Sequence, residues 1–209
     1  FQYSNYLKHV NFAEDSQLES VGKYAFYYCY VLEEMHLPAT VKTIGQNAFS
    51  YSSRLHTITF GEGSQFSAIE KSTFSGCMSL EEIKIPATVT KIDNQAFMNC
   101  RKLSSVTFEN GSKLTSFGTN VFQYTNIKEF EFPETTATLK AGKNMFNNCQ
   151  RLESLYISAK VSNISDALIN VTALKEITVS ANHTSLKMQD NLLTSLDGKN
   201  IYYALRDTT

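Results

Sequence analysis

The sequence predicts a repeat solenoid: a parallel β-sheet on one face, short strands and turns on the other, and a C-terminal β-hairpin cap. Three observations predict it. The three prolines, Pro38, Pro86 and Pro133, lie 48 and 47 residues apart. Phenylalanine recurs at Phe1, Phe26, Phe49, Phe74, Phe97, Phe122 and Phe146, at intervals of 23 to 25 residues, and Leu168 continues the series. A pair of apolar residues separated by one polar residue follows each marker, as in Met35/Leu37, Ile58/Phe60, Ile83/Ile85 and Leu155/Ile157. A fixed period of this size is the mark of a stacked repeat array.

Each element follows from the pattern. The short apolar alternation is a half-buried strand. An aliphatic residue, such as Leu32, Leu55, Leu80 or Leu103, precedes it six residues after the marker. The shorter unit continues Pro-Ala-Thr-Val and closes on an apolar pair three apart, Val41/Ile44 or Val89/Ile92. The longer unit inserts a polar turn, Gly61-Glu62-Gly63-Ser64 or Glu109-Asn110-Gly111-Ser112, before its own pair. One unit cannot bury its apolar face alone, but stacked units share a core. About eight units occupy residues 1–180. Residues 181–209 form the cap, with Asp197-Gly198 as a hairpin turn. The periodicity slips at Ile127 and again after Phe146, which predicts local irregularity there.

Composition limits the function. The 209-residue chain has a formal net charge of -1 and a pI near 6.5, so it lacks the basic footprint of a nucleic-acid binder. No apolar run is long enough to insert directly into a bilayer as a spanning helix. The chain opens on a repeat marker without a signal-peptide pattern, and it reads as a piece of a longer array.

The segment Leu80-Glu81-Glu82-Ile83-Lys84-Ile85 fits the LxxLxL strand of leucine-rich repeats. Pro86-Ala87-Thr88-Val89-Thr90-Lys91-Ile92 and Ala96-Phe97-Met98-Asn99-Cys100 follow it in place of the usual Asn or Cys. Residues 1 to about 180 thus resemble the BspA-like subclass of leucine-rich repeats. The resemblance implies a leucine-rich-repeat solenoid from a surface-displayed or secreted protein. It also implies adhesion to a protein or glycan on a host cell, in matrix or on another microbe, with a part in host–microbe interaction and virulence.

Several residue groups invite chemistry. Cys29, Cys77, Cys100 and Cys149 each lie three residues after a marker, a slot shared with Ser4, Ser52, Thr125 and Val171. We read them as buried reduced thiols in a small-residue slot, not as a disulfide framework or metal site. His9, His36 and His56 fall on successive units but at different offsets, so a metal site is not expected. The acidic turns carry too few carboxylates to hold calcium. The Asn-X-Ser/Thr sequons at Asn110, Asn163, Asn170 and Asn182 matter only in a eukaryotic secretory pathway. No nucleophile–base motif, phosphate-binding loop or cofactor fingerprint occurs, so neither catalysis nor a cofactor is expected.

The exposed strand positions are the expected ligand-binding surface. One column reads His9, Glu34, Thr57, Glu82, Ser105, Glu129, Ser154, Glu176. Its neighbour reads Asn11, His36, Thr59, Lys84, Thr107, Glu131, Tyr156, Thr178. Alternating Glu with Ser or Thr keeps like charges off adjacent rungs. Tyr156 is the expected anchor, because exposed aromatics are enriched at binding hot spots. The alternative function is a structural spacer or self-assembly module, associating through the uncapped first repeat.

Overall fold

The computed structural model describes residues 1–205. The chain winds as a parallel β-solenoid with two sheets. The front strands are β2 (Glu34–Leu37), β4 (Thr57–Phe60), β6 (Glu82–Ile85), β8 (Ser105–Phe108), β10 (Glu129–Glu131), β12 (Ser154–Ile157) and β14 (Glu176–Val179). The back strands are two residues long: β1 (Ser20–Val21), β3 (Thr43–Ile44), β5 (Ala68–Ile69), β7 (Lys91–Ile92), β9 (Ser116–Phe117), β11 (Leu139–Lys140) and β13 (Val161–Ser162). These back strands are the closing apolar pairs of the sequence pattern, and they form one continuous seven-stranded sheet.

The front sheet is not continuous. It divides into β2-β4, β6-β8 and β10-β12-β14. Within each block the predicted columns stand in register: Glu34 pairs with Thr57, Glu82 with Ser105, and Glu129 with Ser154. The breaks fall after β4 and β8, where the longer unit inserts its Gly-containing turn. Eight units are marked in the sequence, but the described residues form seven front strands. The first unit follows the repeat path without a strand at Val10–Phe12, although Glu33 N–H still donates to Lys8 C=O at 3.2 Å.

The core is a set of ladders. The marker phenylalanines stack ring on ring from Phe1 to Phe146, with centroids 5.2–5.9 Å apart and interplanar angles of 5–17°. That spacing is close to the strand repeat, so each ring rests on the one below. Residues two before and two after a marker take left-handed backbone, for example Asn47 and Tyr51, Gln95 and Asn99, or Asn144 and Asn148. These turns aim each ring inward. Asn supplies many of the positions because it tolerates that conformation better than most side chains.

Long and short units interlock, which explains their alternation. Thr40 Oγ1 donates to Ser16 C=O at 3.2 Å, and Thr88 Oγ1 donates to Ser64 C=O at 3.1 Å and Phe66 C=O at 2.7 Å. The Thr of each Pro-Ala-Thr segment therefore satisfies turn carbonyls of the longer unit below. Rungs also approach closely at Gly142, where an added Cβ would lie 1.7 Å from Gly118 O.

The irregularities appear where the period slips. Strand β10 is three residues long, and helix α1 (Ile164–Ala167) replaces the extended approach to Leu168. At the C-terminal end, β15 (Leu186–Gln189), β16 (Leu192–Ser195) and β17 (Ile201–Ala204) form an antiparallel three-stranded sheet, a strand more than a hairpin. Leu186 and Leu193 join the core, and Tyr203 Oη donates to Val171 C=O at 2.6 Å. His183 pins the junction. Its Nδ1 accepts from Ser185 and Leu186 N–H, each at 3.2 Å, so its proton sits on Nε2, which donates to Val161 C=O at 3.0 Å. Residues 206–209 of the expected cap lie outside the described residues.

Phe97→Ala removes a fully buried rung and should cost about 3–5 kcal/mol in denaturant unfolding. His183 is buried, and desolvation holds its pKa below the ordinary histidine value. Protonation at Nδ1 would also displace two N–H donors. Its stabilising effect should therefore be complete above about pH 6.5, the unfolded value, and decline as the pH falls below it. Thermal unfolding of the wild type should show that acid-side loss, and His183→Gln should flatten it.

Candidate functional site

The front face presents the two predicted columns. Glu34, His36, Thr59, Glu82, Lys84, Thr107, Glu129 and Glu131 are exposed, while Thr57, Ser105, Ser154 and Tyr156 are half-buried. The alternation places Met35, Ile58, Ile83, Val106, Phe130 and Leu155 beneath them in the core. Strand pleating thus sets every second side chain outward, and the rungs hold these side chains in rows. His36 Nδ1 is 2.8 Å from Thr59 Oγ1, and its Nε2 is 3.4 Å from Glu34 Oε2. Lys84 Nζ lies 3.8 Å from Glu109 Oε1.

Charge is arranged differently at the strand entrance and on the face. At the entrance, cations pair across rungs: Lys8 with Glu33 at 3.3 Å, Lys102 with Glu81 at 3.5 Å, and Lys175 with Glu153 at 3.1 Å. On the face, among the described residues, Glu82, Glu129, Glu131 and Glu176 have no ion-pair partner. Uncompensated carboxylates therefore occupy alternate rungs of the first column.

Each break in the front sheet opens a groove. Between β8 and β10 the groove encloses about 630 Å³ and is lined by Phe108, Phe132, Pro133 and Tyr156, with Glu109, Glu129, Glu131, Glu134 and Lys128 supplying its charges. Between β4 and β6, one groove of about 470 Å³ is lined by Phe60, Glu62, Lys84 and Pro86, and another of about 380 Å³ by His56, Thr57 and Glu82. The sequence predicts the outward columns and an irregularity at Ile127, just before β10, but not the grooves themselves. Tyr156 Oη donates to Glu134 Oε1 at 3.0 Å. A hydrogen bond to Ser180 favours its phenolate, but burial and the nearby Glu134 outweigh it and hold its pKa above the ordinary value. Tyr156 is therefore a neutral, fixed wall of the groove.

The other groups behave structurally. All four cysteines are free and buried. Cys29, Cys77, Cys100 and Cys149 direct Sγ at the marker carbonyl of the rung below, Phe1, Phe49, Phe74 and Phe122, at 3.0–3.2 Å. Ser52 Oγ makes the same bond to Phe26 C=O at 2.7 Å. The four cysteines and Ser52 thus use the slot to donate to the rung below, whereas Thr125 donates to its own marker carbonyl, Phe122, and Val171 has no donor. Burial raises the pKa of all four thiols, that of Cys149 to about 11. Among the described residues no three His, Cys, Asp or Glu side chains converge to hold a metal. No described helix is long and apolar enough to cross a membrane.

A second surface feature escaped the strand-based reading. Tyr3, Tyr28 and Tyr51 stack at 5.6 and 4.7 Å, Tyr27 and Tyr30 meet Tyr28 edge-on, and Tyr24 in turn meets Tyr27 edge-on. The column occupies the position two after the marker, so its period was visible in the sequence. Gly76 ends it: its φ is +75°, and an added Cβ would lie 2.7 Å from the Tyr51 ring.

This architecture defines a leucine-rich-repeat solenoid. The BspA type leucine-rich repeat model matches residues 1–67 and 67–191 in six copies, and the chain belongs to that family. Comparison with curated protein sequences finds no match. Among solved structures, the pneumococcal vaccine antigen PcpA is 26% identical with a TM-score of 0.62, over 90% of this chain and 42% of that one. A leucine-rich repeat protein of Eubacterium ventriosum is 25% identical with a TM-score of 0.55, over 69% of this chain and 37% of that one. A leucine-rich cell surface protein of Faecalibacterium prausnitzii shares the fold at 24% identity and a TM-score of 0.54, over 87% of this chain and 48% of that one. The chain thus spans less than half the length of each.

The thiol arrangement predicts that a thiol reagent such as DTNB leaves all four cysteines unmodified in the native chain and titrates them in denaturant. Cys100→Ser, which keeps the donor, should be tolerated better than Cys100→Val. Loss of the hydrogen bond should cost the valine variant about 1 kcal/mol more, read by urea unfolding.

Proposed function

We propose that the chain is a non-catalytic binding module of a cell-surface or secreted protein, and that it adheres through its front strand face to a protein or glycan of a host cell, matrix or another microbe. The carrying observation is the aromatic-walled groove between β8 and β10, set within rows of outward polar side chains. Family membership supports the reading, and so does the similarity to structures named as a vaccine antigen and as a cell surface protein. The face is preformed: strand pairing and the stacked core fix the side chains before a ligand arrives, so little ordering entropy is lost on contact. Aromatic walls provide apolar contact, and the free carboxylates provide orientation.

The test is binding of the monomer to a panel of matrix proteins, cell surfaces and glycans. A Glu82→Lys/Glu129→Lys/Tyr156→Ala variant runs beside it, with circular dichroism confirming its fold. We expect the wild type to bind at least one panel member, and the variant to lose roughly tenfold or more in affinity, because a central aromatic anchor and two charges are removed. Equal binding by both proteins would move the site off the front face. Self-association without binding to any panel member would instead favour a spacer or assembly role.

A further inference from the structure

Asn110 is the one asparagine of the 209-residue chain that is followed by glycine. The pair Asn110-Gly111 forms the exposed tip of the turn between β8 and β9. Both ends of this turn are tied to the rung below: Glu109 Oε2 accepts from Ala87 N–H at 3.0 Å, and Lys113 N–H donates to Ala87 C=O at 2.9 Å. The tip between them is open. Among the described residues Gly111 N–H has no hydrogen-bond partner, and a Cβ added at Gly111 would meet nothing within 4 Å. The amide nitrogen beside the Asn110 side chain is therefore exposed to water and shielded by no side chain of its own.

Elsewhere the fold ties the corresponding nitrogen. The N–H groups that follow Asn47, Asn94, Asn99, Asn148, Asn170 and Asn182 donate to backbone carbonyls at 2.9–3.2 Å, and each belongs to a residue with a side chain. The chain's Asp-Gly pair, Asp197-Gly198, is held as well. Gly198 N–H donates to Ser195 C=O at 2.9 Å, and Asp197 Oδ1 accepts from Ser195 Oγ at 2.6 Å and from Lys199 N–H at 3.0 Å. A nitrogen held in this way must give up its hydrogen bond before it can lose its proton and attack.

We propose that Asn110-Gly111 is a site of self-modification, at which the chain converts a side-chain amide into a carboxylate beside the larger groove. Gly111 N loses its proton to solvent base and attacks Asn110 Cγ. The N–Cγ bond forms, the Cγ–Nδ2 bond breaks, and ammonia leaves with a proton taken from solvent, giving a succinimide. Water then opens the ring at either carbonyl carbon and yields aspartate or isoaspartate, with no oxidation or reduction. The repeat shows that this slot accepts a negative charge. Glu14 and Glu62 occupy it in the other two longer-unit turns, each two residues before a serine. Those serines and Ser112 make the same contact, Oγ accepting from the N–H two residues on at 3.3–3.4 Å. Asn110 and Gly111 line the groove between β8 and β10 with Glu109, Glu129, Glu131, Glu134 and Lys128. Modification adds a fifth carboxylate to that lining, so the groove of an aged chain attracts cations more strongly and repels anions more.

The experiment incubates the full 209-residue chain in mildly alkaline buffer and follows it by isoelectric focusing and peptide mass mapping, with an isoaspartate-specific methyltransferase as the probe of ring opening. Native wild type should gain an acidic species shifted by a single charge, which comigrates with Asn110→Asp. The new aspartate and isoaspartate should map to Asn110 before any other asparagine changes. Raising the pH should speed the shift, because Gly111 N must lose a proton. Asn110→Gln should not shift, since its longer side chain has a larger ring to close. Circular dichroism and the thermal midpoint of Asn110→Asp should match wild type. A native chain that stays unshifted under conditions that modify the guanidinium-unfolded chain would overturn the proposal, because the fold would then protect the turn. Earlier modification at another asparagine or at Asp197, or an equal shift in Asn110→Gln, would overturn it too. A lowered midpoint in Asn110→Asp would overturn the acceptance of a carboxylate in this slot.

Discussion

Phe97 sits between Phe74 and Phe122 with ring planes nearly parallel and centroids 5.4 and 5.6 Å away. The rungs from Phe1 to Phe146 repeat that contact, and the rest of the molecule depends on it. A ring can stack on its neighbour only if successive turns of chain advance by one strand spacing and keep one register. That constraint accounts for the left-handed residues on either side of each marker, the donors in the Cys/Ser slot, and the glycines where rungs approach closely. The strands are too short to hold the register alone; the back strands contain only two residues each. Side-chain ladders and local backbone hydrogen bonds therefore maintain alignment together.

The same constraint shapes the binding face. Because the core ladder must stay continuous, variation in unit length is expelled to the surface. The longer unit's turn is accommodated by parting β4 from β6 and β8 from β10, while the back sheet stays whole. The grooves are thus a consequence of alternating unit length. Phe60 and Phe108 border them and are only half-buried, whereas Leu37 and Ile85, their counterparts in the shorter units, are fully covered. A repeat protein can in this way acquire concave sites without disturbing its core.

Electrostatics on the two sides of the strand entrance follow separate rules. Entrance pairs such as Lys175–Glu153 lower the Glu153 pKa chiefly through their hydrogen bond, and they tie one rung to the next. The face row has no such ties. Spacing Glu by Thr or Ser limits repulsion between rungs, so the row is tolerated without being neutralised. The tyrosine stack at the N-terminal half shows a different balance. Tyr3, Tyr28 and Tyr51 adopt left-handed backbone, a costly choice for bulky side chains, and their ring contacts offset part of that cost.

Sequence by itself determined the solenoid, the register of its ladders and the identity of the outward columns. These follow from periodicity: a residue at a fixed offset must recur at the same place on each rung, so Glu82 and Ser105, or Glu131 and Tyr156, could be paired on paper. Tertiary structure alone decided where hydrogen-bond ladders break, and therefore that Tyr156 walls a groove and does not stand proud of a flat sheet. It also decided that His183 locks the junction near the C-terminal strands, and that the buried cysteines hydrogen-bond marker carbonyls of the rung below. The reason is one of scale. Periodicity reports which residues are equivalent, whereas the gap between two neighbouring rungs depends on how unequal turns pack, a sum over contacts distant in sequence.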